Sequence, residues 1–523
     1  MTGYVIKRIL HGIISIIIVT AAVMVMIYSL LDRNLIFADD PAYSRQKNNT
    51  KITYKYQQWE KYGYLDYVTY QEWIKSLTDT GGMSEDQYDA AMALGQTPKK
   101  DSEIVKKYVN RFTEYWQEQG FTVERLNAKM ANPVKVADGG QQQLFAYKDI
   151  PLYMRLLNFF GNLITFDNIN RVSDDVGERG LTFTLFDPVY GGDKFAPAIM
   201  GNGTIHRYLL YFDGNFPFIH QNFVTINLGM SFTVNRGVDV FQTMTDTQGP
   251  YVMKEITFPT GYTEMSADDL HTAVYSPGSL NSSAANQTRF DSNYTNVELV
   301  RGGFSKIGYS FVIGITATAI SYLIGIPLGI MMARRKDKLT DKLGTIYIVF
   351  IIAVPSLAYI FLFRSIGGAM GLPTVFDMES PGLLMYVLPI VSLALPAAAN
   401  LMKWMRRYTI DGMNSDYVKF ARSGGLSEKE IFSRHILKNS IIPIVHGIPA
   451  GIFTSLIGAI ITERVYVVPG AGNLLTEAVN KYDNGVIAGI TMFYALLSVA
   501  SVILGDILMA MADPRITFSS KDR

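Results

Sequence analysis

The sequence predicts an all-α polytopic membrane protein of about six spans, with a large α+β domain inserted between the first and second. Three observations carry this reading. Apolar runs long enough to cross lipid recur along the chain, basic residues gather at alternate ends of those runs, and one polar stretch of domain size follows the first run. Whole-chain averages hide the pattern, because 48% hydrophobic and 18% charged residues would also suit a soluble protein. The distribution carries the information.

A helix needs about 20 mostly apolar residues to cross the hydrocarbon core. Runs of that kind lie at Ile9–Leu31, Ile307–Ala333, Leu343–Phe363, Leu383–Met402, Ile441–Ile461 and Val486–Ala512. The first is read as an uncleaved anchor. Lys7 and Arg8 could open a signal peptide, but the run exceeds a typical h-region and no small-x-small cleavage site precedes Asp32. Gly325-Ile326-Pro327-Leu328-Gly329 is expected to kink the second span. Pro389 and Pro396 soften the limits of the fourth.

Basic residues set the orientation. Lys7 and Arg8 precede the first span; Arg334, Arg335, Lys336 and Lys338 follow the second. Lys403, Arg406 and Arg407 follow the fourth, and Arg515 follows the last. With alternating spans these ends share one side, so both termini are expected in the cytoplasm of a cell-membrane protein.

Alternation places 33–300 outside, and that stretch of roughly 270 residues far exceeds an ordinary loop. The division is therefore 1–32 as an N-terminal transmembrane helix, 33–300 as an extracellular inserted domain, and 301–523 as a core of five spans. Closely spaced aromatics (Tyr54, Tyr56, Trp59, Tyr62, Tyr64, Tyr67, Tyr70, Trp73) open the insert. Residues 55–130 read mainly helical from apolar positions three or four apart, with Thr69, Ser84 and Ser102 as caps. From Thr182 to Tyr262, short aromatic and β-branched runs punctuated by Gly, Asn and Asp suggest strands. Ser276–Asn296 reads as an exposed loop.

Cysteine is absent, which rules out disulfides and Cys-ligated zinc. A domain large enough to build a core manages without them, and an anchored external domain of this kind fits a monoderm, Gram-positive surface. No phosphate-cradling G-x-x-x-x-G-K-[ST], H-E-x-x-H or G-x-S-x-G pattern occurs, and the six histidines are scattered. No catalytic, cofactor or metal residues are assigned, and His206-Arg207 reads as a structural pair.

Segment 411–440 is polar yet lies between spans. Asn414 or Ser415 can cap a short helix on which Tyr417, Phe420 and Ala421 share a face. Gly424-Gly425 ends it, and Ser427-x-x-Glu430 is a capping box for a second helix with Ile431, Phe432, Ile436 and Leu437 as its apolar stripe. By itself, such a pair would equally suit a membrane surface.

These residues resemble the cytoplasmic loop of ABC-importer permeases. Against the signature E-A-A-x-x-x-G-x(9)-I-x-L-P, Ala421 and Gly425 match the second Ala and the Gly, while Lys419 and Phe420 depart from it. In the tail His435-Ile436-Leu437-Lys438, only Leu437 matches. Such departures are typical of the peptide/nickel branch, which the chain resembles elsewhere. Leu388–Arg407 looks like that branch's fourth span and its exit. Ile461–Val479 looks like its external E-x-V-F-x-x-P-G-x-G hairpin, with Glu463, Pro469, Gly470 and Gly472 in place and Tyr466 for Phe. Asp506–Ile516 looks like its D-P-R ending, and Tyr4–Leu10, Pro151–Asp167 and Asn227–Phe232 also resemble family pieces. Extra material at about 35–145, 168–224 and 245–300 looks like the first permease subunit of Gram-positive oligopeptide importers of the Opp/Ami type.

The resemblance implies an ABC type I importer permease fold. It implies a second homologous permease, two cytoplasmic ATPase subunits that carry the ATP and Mg, an extracellular lipid-anchored peptide-binding protein and an oligopeptide substrate, with no nucleic acid. ATPase-coupling candidates are Lys419, Phe420, Ala421, Arg422, Gly424, Gly425, Leu426, Ser427 and Glu428. Polar residues inside spans are costly in lipid, which makes Ser321, Tyr322, Ser392, Asn400, Thr454 and Ser455 pathway candidates; helix packing is the alternative for the Ser and Thr members. Asp506 reads as an interfacial residue. Dipeptide or nickel import is the competing reading within the family. A membrane-anchored sensor would need a signalling module, and a surface hydrolase would need a catalytic motif in 33–300.

Overall fold

The computed structural model describes residues 2–132, 135–186, 195–212, 219–378 and 382–512. Helix α1 (Thr2–Leu30) is the first apolar run, with one face of isoleucines left exposed. The chain then enters a mixed α/β stretch. Helices α2 (Asn48–Lys61), α3 (Tyr70–Asp79) and α4 (Glu103–Glu118) surround an antiparallel sheet ordered β1-β3-β2, of Leu65–Thr69, Gln143–Asp149 and Thr122–Leu126. The helical reading of 55–130 missed β1 and β2, two five-residue strands wedged between amphipathic helices. Thr69 forms a full capping box with Glu72, and Ser102 accepts from the Val105 N–H. Ser84 occupies its cap position without a side-chain bond. The aromatic series is core: Trp59, Tyr62, Tyr64 and Tyr67 pack with Phe145 and Phe232, and Tyr70 and Trp73 pack with Phe112.

Beyond sits a short amphipathic helix, α5 (Leu152–Gly161), and the two-stranded pair β4 (Ile164–Phe166) and β9 (Val224–Ile226). Strands β5 (Gly180–Phe186), β6 (Phe195–Asn202), β7 (Tyr208–Phe212) and β8 (Ile219–Gln221) form an antiparallel meander. The segment read as an exposed loop, Ser276–Asn296, instead holds two short helices and buries Phe290 and Tyr294 among Tyr208, Phe258 and Leu270. Its polar sequence hid two anchoring aromatics. His206 is structural: its backbone N–H and Nδ1 lie 2.8 and 3.1 Å from the Asp167 carboxylate.

The core begins with α6 (Lys306–Arg334), unbroken through Pro327. Helices α7 (Leu339–Ala353) and α8 (Ser356–Ala369) replace the single third span expected at Leu343–Phe363 and are bent by 113°. The cause is local: proline disfavours the helical region at the residue before it, and Val354, ahead of Pro355, is extended at ψ 129. Next come α9 (Val387–Met413), a polar α10 (Asp416–Ser423), α11 (Lys438–Tyr466), α12 (Ala471–Asn480) and α13 (Asn484–Ala512). Five described helices are long and apolar enough to cross a membrane, and the bent pair could supply a sixth crossing.

Packing fixes their directions. A Cβ on Gly325 would meet Leu401 and Ala398, and one on Gly329 would meet Met405 and Met402, so α6 and α9 run parallel in close register. Small residues permit this approach, the usual basis of helix association in lipid. The bent pair must then return from the far end of α6 to the start of α9. At one extreme Asp341 of α7 takes a two-pronged bond from Arg406 at 2.6 and 2.7 Å; at the other, Gly367 of α8 lies against Leu388. Helix α11 opposes α9, with Ser440 bonding the Tyr408 carbonyl and Tyr466 reaching Ser392. Helix α1 opposes α13, with Gly12 against Val499 and Arg8 beside Asp506 at 3.3 Å. Arg8, Arg334, Arg406 and α10 thus share one end of the bundle, and the insert joins the other.

The insert is fastened there by one carboxylate. Asp483, in the turn between α12 and α13, is fully buried. It accepts from Ser231 Oγ at 2.7 Å and from the backbone N–H groups of Phe232, Thr233 and Val234 at 2.8–2.9 Å. Leu228, Val240 and Met244 pack beside it on Leu474, Val486 and Ile490, and Gly485 and Gly489 leave room for that approach. Each buried N–H stripped of its acceptor costs about 1–3 kcal/mol. Asp483→Ala is therefore expected to lower the Tm of the purified chain and to release the insert to limited proteolysis before the core. Unchanged proteolysis of the insert would contradict this anchoring.

Candidate functional site

Two features stand out, one at the basic end and one inside the bundle. At the basic end, α10 begins after Ser415 and ends at Gly424, and Gly425 takes φ +83, a conformation that glycine adopts without a Cβ penalty. Ser427 and Glu430 form the expected capping box. From Ile431 to Leu437 the chain takes a π-helical stretch and then runs into α11, joining the turn to a long helix without a loop. Val418, Ala421, Ile431 and Ile436 form the small core of this helical hairpin. The face expected to group Tyr417, Phe420 and Ala421 is split. Ala421 points in, while Tyr417 and Phe420 point out, because Val418 takes the inner position. Phe420 is 81% exposed.

Charges brace the turn. Lys419 pairs with Asp416 at 2.9 Å, and Arg422 reaches Glu428 across the glycines at 2.5 and 3.1 Å. Bonding to Glu428 holds the Arg422 pKa above its ordinary value. Exposed ion pairs of this sort are worth little stability, so their effect is to shape the turn. Leu426 and Ser427 are also exposed. The outcome is a small braced projection that exposes an aromatic ring, a leucine and an open glycine turn at that end.

Along the bundle, α6, α9 and α11 line a half-open cavity of about 440 Å³. Ser321, Tyr322 and Asn400 line it, together with Thr318, Trp404 and Tyr408. Its far wall is Gly447, Ala450 and Gly451 of α11, which also contributes Pro443. Asn400, Trp404 and Tyr408 recur every four residues, a single stripe on α9; that spacing could have shown the two aromatics, which the sequence reading passed over as part of a span exit. Ser321 is also tied within its helix, donating to the Thr318 carbonyl at 2.7 Å. Ser392 lies elsewhere, buried and 2.9 Å from the Tyr466 hydroxyl, so its role here is packing. The side chains of Thr454 and Ser455 lie outside the described residues, as do Asp513, Pro514 and Arg515. Asp506 pairs with Arg8.

The hairpin residues meet at the insert end. Glu463 is buried, accepts from Ser310 Oγ at 2.6 Å and from the Asn473 N–H at 2.9 Å, and so ties α6, α11 and α12 together. Ser310 in turn accepts from the Ala471 N–H at 2.9 Å. Gly470 and Gly472 lie directly on this carboxylate, where any Cβ would collide with Glu463 or Ile460. Pro469 follows the end of α11, where a proline prevents the helix from continuing. Tyr466, which stands where the motif has Phe, uses its extra hydroxyl on Ser392.

Known proteins of this pattern exist. Residues 325–518 match a family model described as the binding-protein-dependent transport system inner membrane component. Over its full length the chain is 33% identical to the oligopeptide transport system permease protein AmiC of Streptococcus pneumoniae, covering 99% of that protein. It is 29% identical to the dipeptide transport system permease protein DppB of Lactococcus lactis, over 43% of this chain and 73% of that one. Among solved structures, an amino acid ABC transporter is 16% identical, with a TM-score of 0.31, over 40% of this chain and 92% of its own. The full-length match is decisive: the chain belongs to the binding-protein-dependent transport permeases, the membrane subunits of ABC importers, in the family that includes AmiC.

Proposed function

We propose that this chain forms half of the translocation pathway of an ATP-driven oligopeptide importer. The observation that carries the reading is the exposed helical turn Lys419–Glu428 at the end of the bundle opposite the insert. In this reading the bundle crosses the membrane six times, the termini and the turn are cytoplasmic, and 33–300 is extracellular. Clustering of Arg8, Arg334 and Arg406 at the turn's end supports that sidedness. Phe420, Gly425 and Leu426 seat in one of two ATPase subunits. A second homologous permease completes the pathway, and an extracellular lipid-anchored protein delivers the peptide to the insert. The chain performs no catalysis; ATP and Mg act on the partner ATPases.

Motion of the turn would reach the cavity directly, because the π-helical stretch and α11 are one continuous rod that supplies the wall at Gly447 and Gly451. Rocking of such rods between two packings is an established form of gating. A cavity lined by hydroxyls, one amide and aromatic rings suits a peptide backbone, whose polar groups repeat whatever its side chains. The full-length similarity to AmiC supports oligopeptides over dipeptides, since the dipeptide relative matches under half of the chain. Uptake competition with peptides of graded length separates the two.

Gly425→Glu would insert a charged Cβ-bearing side chain where φ is +83. The variant should insert normally and lose most peptide uptake; normal uptake at normal expression would overturn the seat. The chain is free of cysteine, so single cysteines report sidedness cleanly. An impermeant maleimide added to intact cells should label Gln287→Cys and spare Ser427→Cys until the cells are opened. Labelling of Ser427→Cys from outside would reverse the topology.

A further inference from the structure

A second cavity, of about 530 Å³, lies at the insert end between α1, α5 and α13, away from the bundle cavity. Its lining divides by chemistry. Met24, Phe159, Leu228 and Ala488 supply apolar surface, and Met24 and Ala488 belong to helices long enough to span lipid. Arg155, Lys61, Asn158, Asn162 and Asn227 supply polar groups. Arg155 is held in place by aromatic faces, its guanidinium carbon 3.8 Å from the Tyr28 ring centre and 3.9 Å from that of Tyr64. Among the described residues no carboxylate lies within ion-pair distance of Arg155 or Lys61. The one carboxylate in the lining, Asp239, is engaged in capping, accepting from the Phe241 and Gln242 N–H groups at 2.7 and 3.2 Å.

The surroundings place this cavity at the edge of the hydrocarbon. Helix α5 packs beside the end of α1 and turns Tyr153, Met154 and Leu157 outward, an apolar face of the kind that lies in a membrane interface. Ile164, Phe166 and Ile226 of the β4–β9 pair extend that exposed apolar surface. A ligand that fits must carry an anionic, hydrogen-bond-accepting head and an apolar body. Arginine held over rings suits a phosphodiester, which accepts two parallel N–H bonds.

We propose that this cavity binds one anionic phospholipid of the outer leaflet, its phosphodiester against Arg155 and Lys61 and an acyl chain against Met24 and Leu228. Such a lipid would fix α5, and with it the insert, to the end of α1 at a set height. The inference rests on the membrane placement of α1 and α13 and on the sidedness proposed above, and its failure leaves the transport reading intact.

Native mass spectrometry of the full chain in mild detergent tests it, with phosphatidylglycerol or phosphatidylcholine of matched acyl chains added. Wild type should retain one phosphatidylglycerol over phosphatidylcholine. Arg155→Gln and Lys61→Gln should each weaken that preference about fivefold, and Arg155→Lys should fall between wild type and Arg155→Gln, because an ammonium keeps the charge but not the two parallel N–H bonds. Lys61 sits exposed at the end of α2, outside the corner formed by the two tyrosine rings, so Lys61→Gln remains informative if Arg155→Gln fails to fold. Equal retention of both lipids by wild type, or an undiminished preference in Lys61→Gln, would overturn the proposal. Displacement by glycerol phosphate at the lipid's own concentration would also overturn it, because a headgroup site alone would need no apolar floor.

Discussion

The parallel packing of α6 against α9 is the constraint on which the remaining architecture depends. Gly325 and Gly329, one turn apart, bring the two backbones together in a register that leaves no space for a side chain. Two parallel neighbours force the intervening chain to traverse the same thickness, even though α7 and α8 meet at 113°. From that, the basic end and the insert end follow, and the polar turn Asp416–Glu430 falls on the side away from the insert. In lipid, where burial of apolar surface gives no drive for association, close approach of small residues is what remains to hold such a pair.

Two buried carboxylates organise the insert end, and both achieve it by collecting donors. Glu463 joins three core helices through Ser310 and the start of α12, and Asp483 joins the core to the loop Ser231–Val234 of the insert. A buried carboxylate is costly unless hydrogen bonds compensate it, and here each one gathers more than one donor. The hairpin is therefore a splice point, at which Gly470 and Gly472 let the backbone close onto Glu463. At the opposite end the design differs: α10 and its turn are small, braced by surface ion pairs, and expose Phe420 and Leu426. One end ties the bundle to its own insert, and the other leaves an aromatic ring and a leucine exposed.

Much of this was legible in the sequence wherever one physical requirement dominates. Length and apolarity locate the long helices, glycine pairs and a capping box locate the polar turn, and the resemblance carried by Glu463, Gly470 and Gly472 points to the hairpin. Direction is harder to read. Val354-Pro355 lies in an apolar run that composition alone reads as one span, and Tyr417, Phe420 and Ala421 fit a helical face that Val418 then usurps. Residues whose role depends on distant partners gave no local sign. Asp483 sits in an ordinary-looking turn, Ser392 reads as a pathway hydroxyl until Tyr466 claims it, and β1 and β2 become strands only by pairing with β3. The stripe Asn400, Trp404, Tyr408 was readable and required only that aromatics be counted with the polar set.

The most direct test of the account is crosslinking from the turn. With no native cysteine, a Phe420→Cys or Leu426→Cys chain carries one thiol, which a short maleimide–benzophenone reagent can join on illumination to whatever sits against it in native membranes. The account predicts a single adduct with an ATPase subunit from both positions. An intact complex that yields adducts with the extracellular binding protein instead, or none from either position, would contradict it.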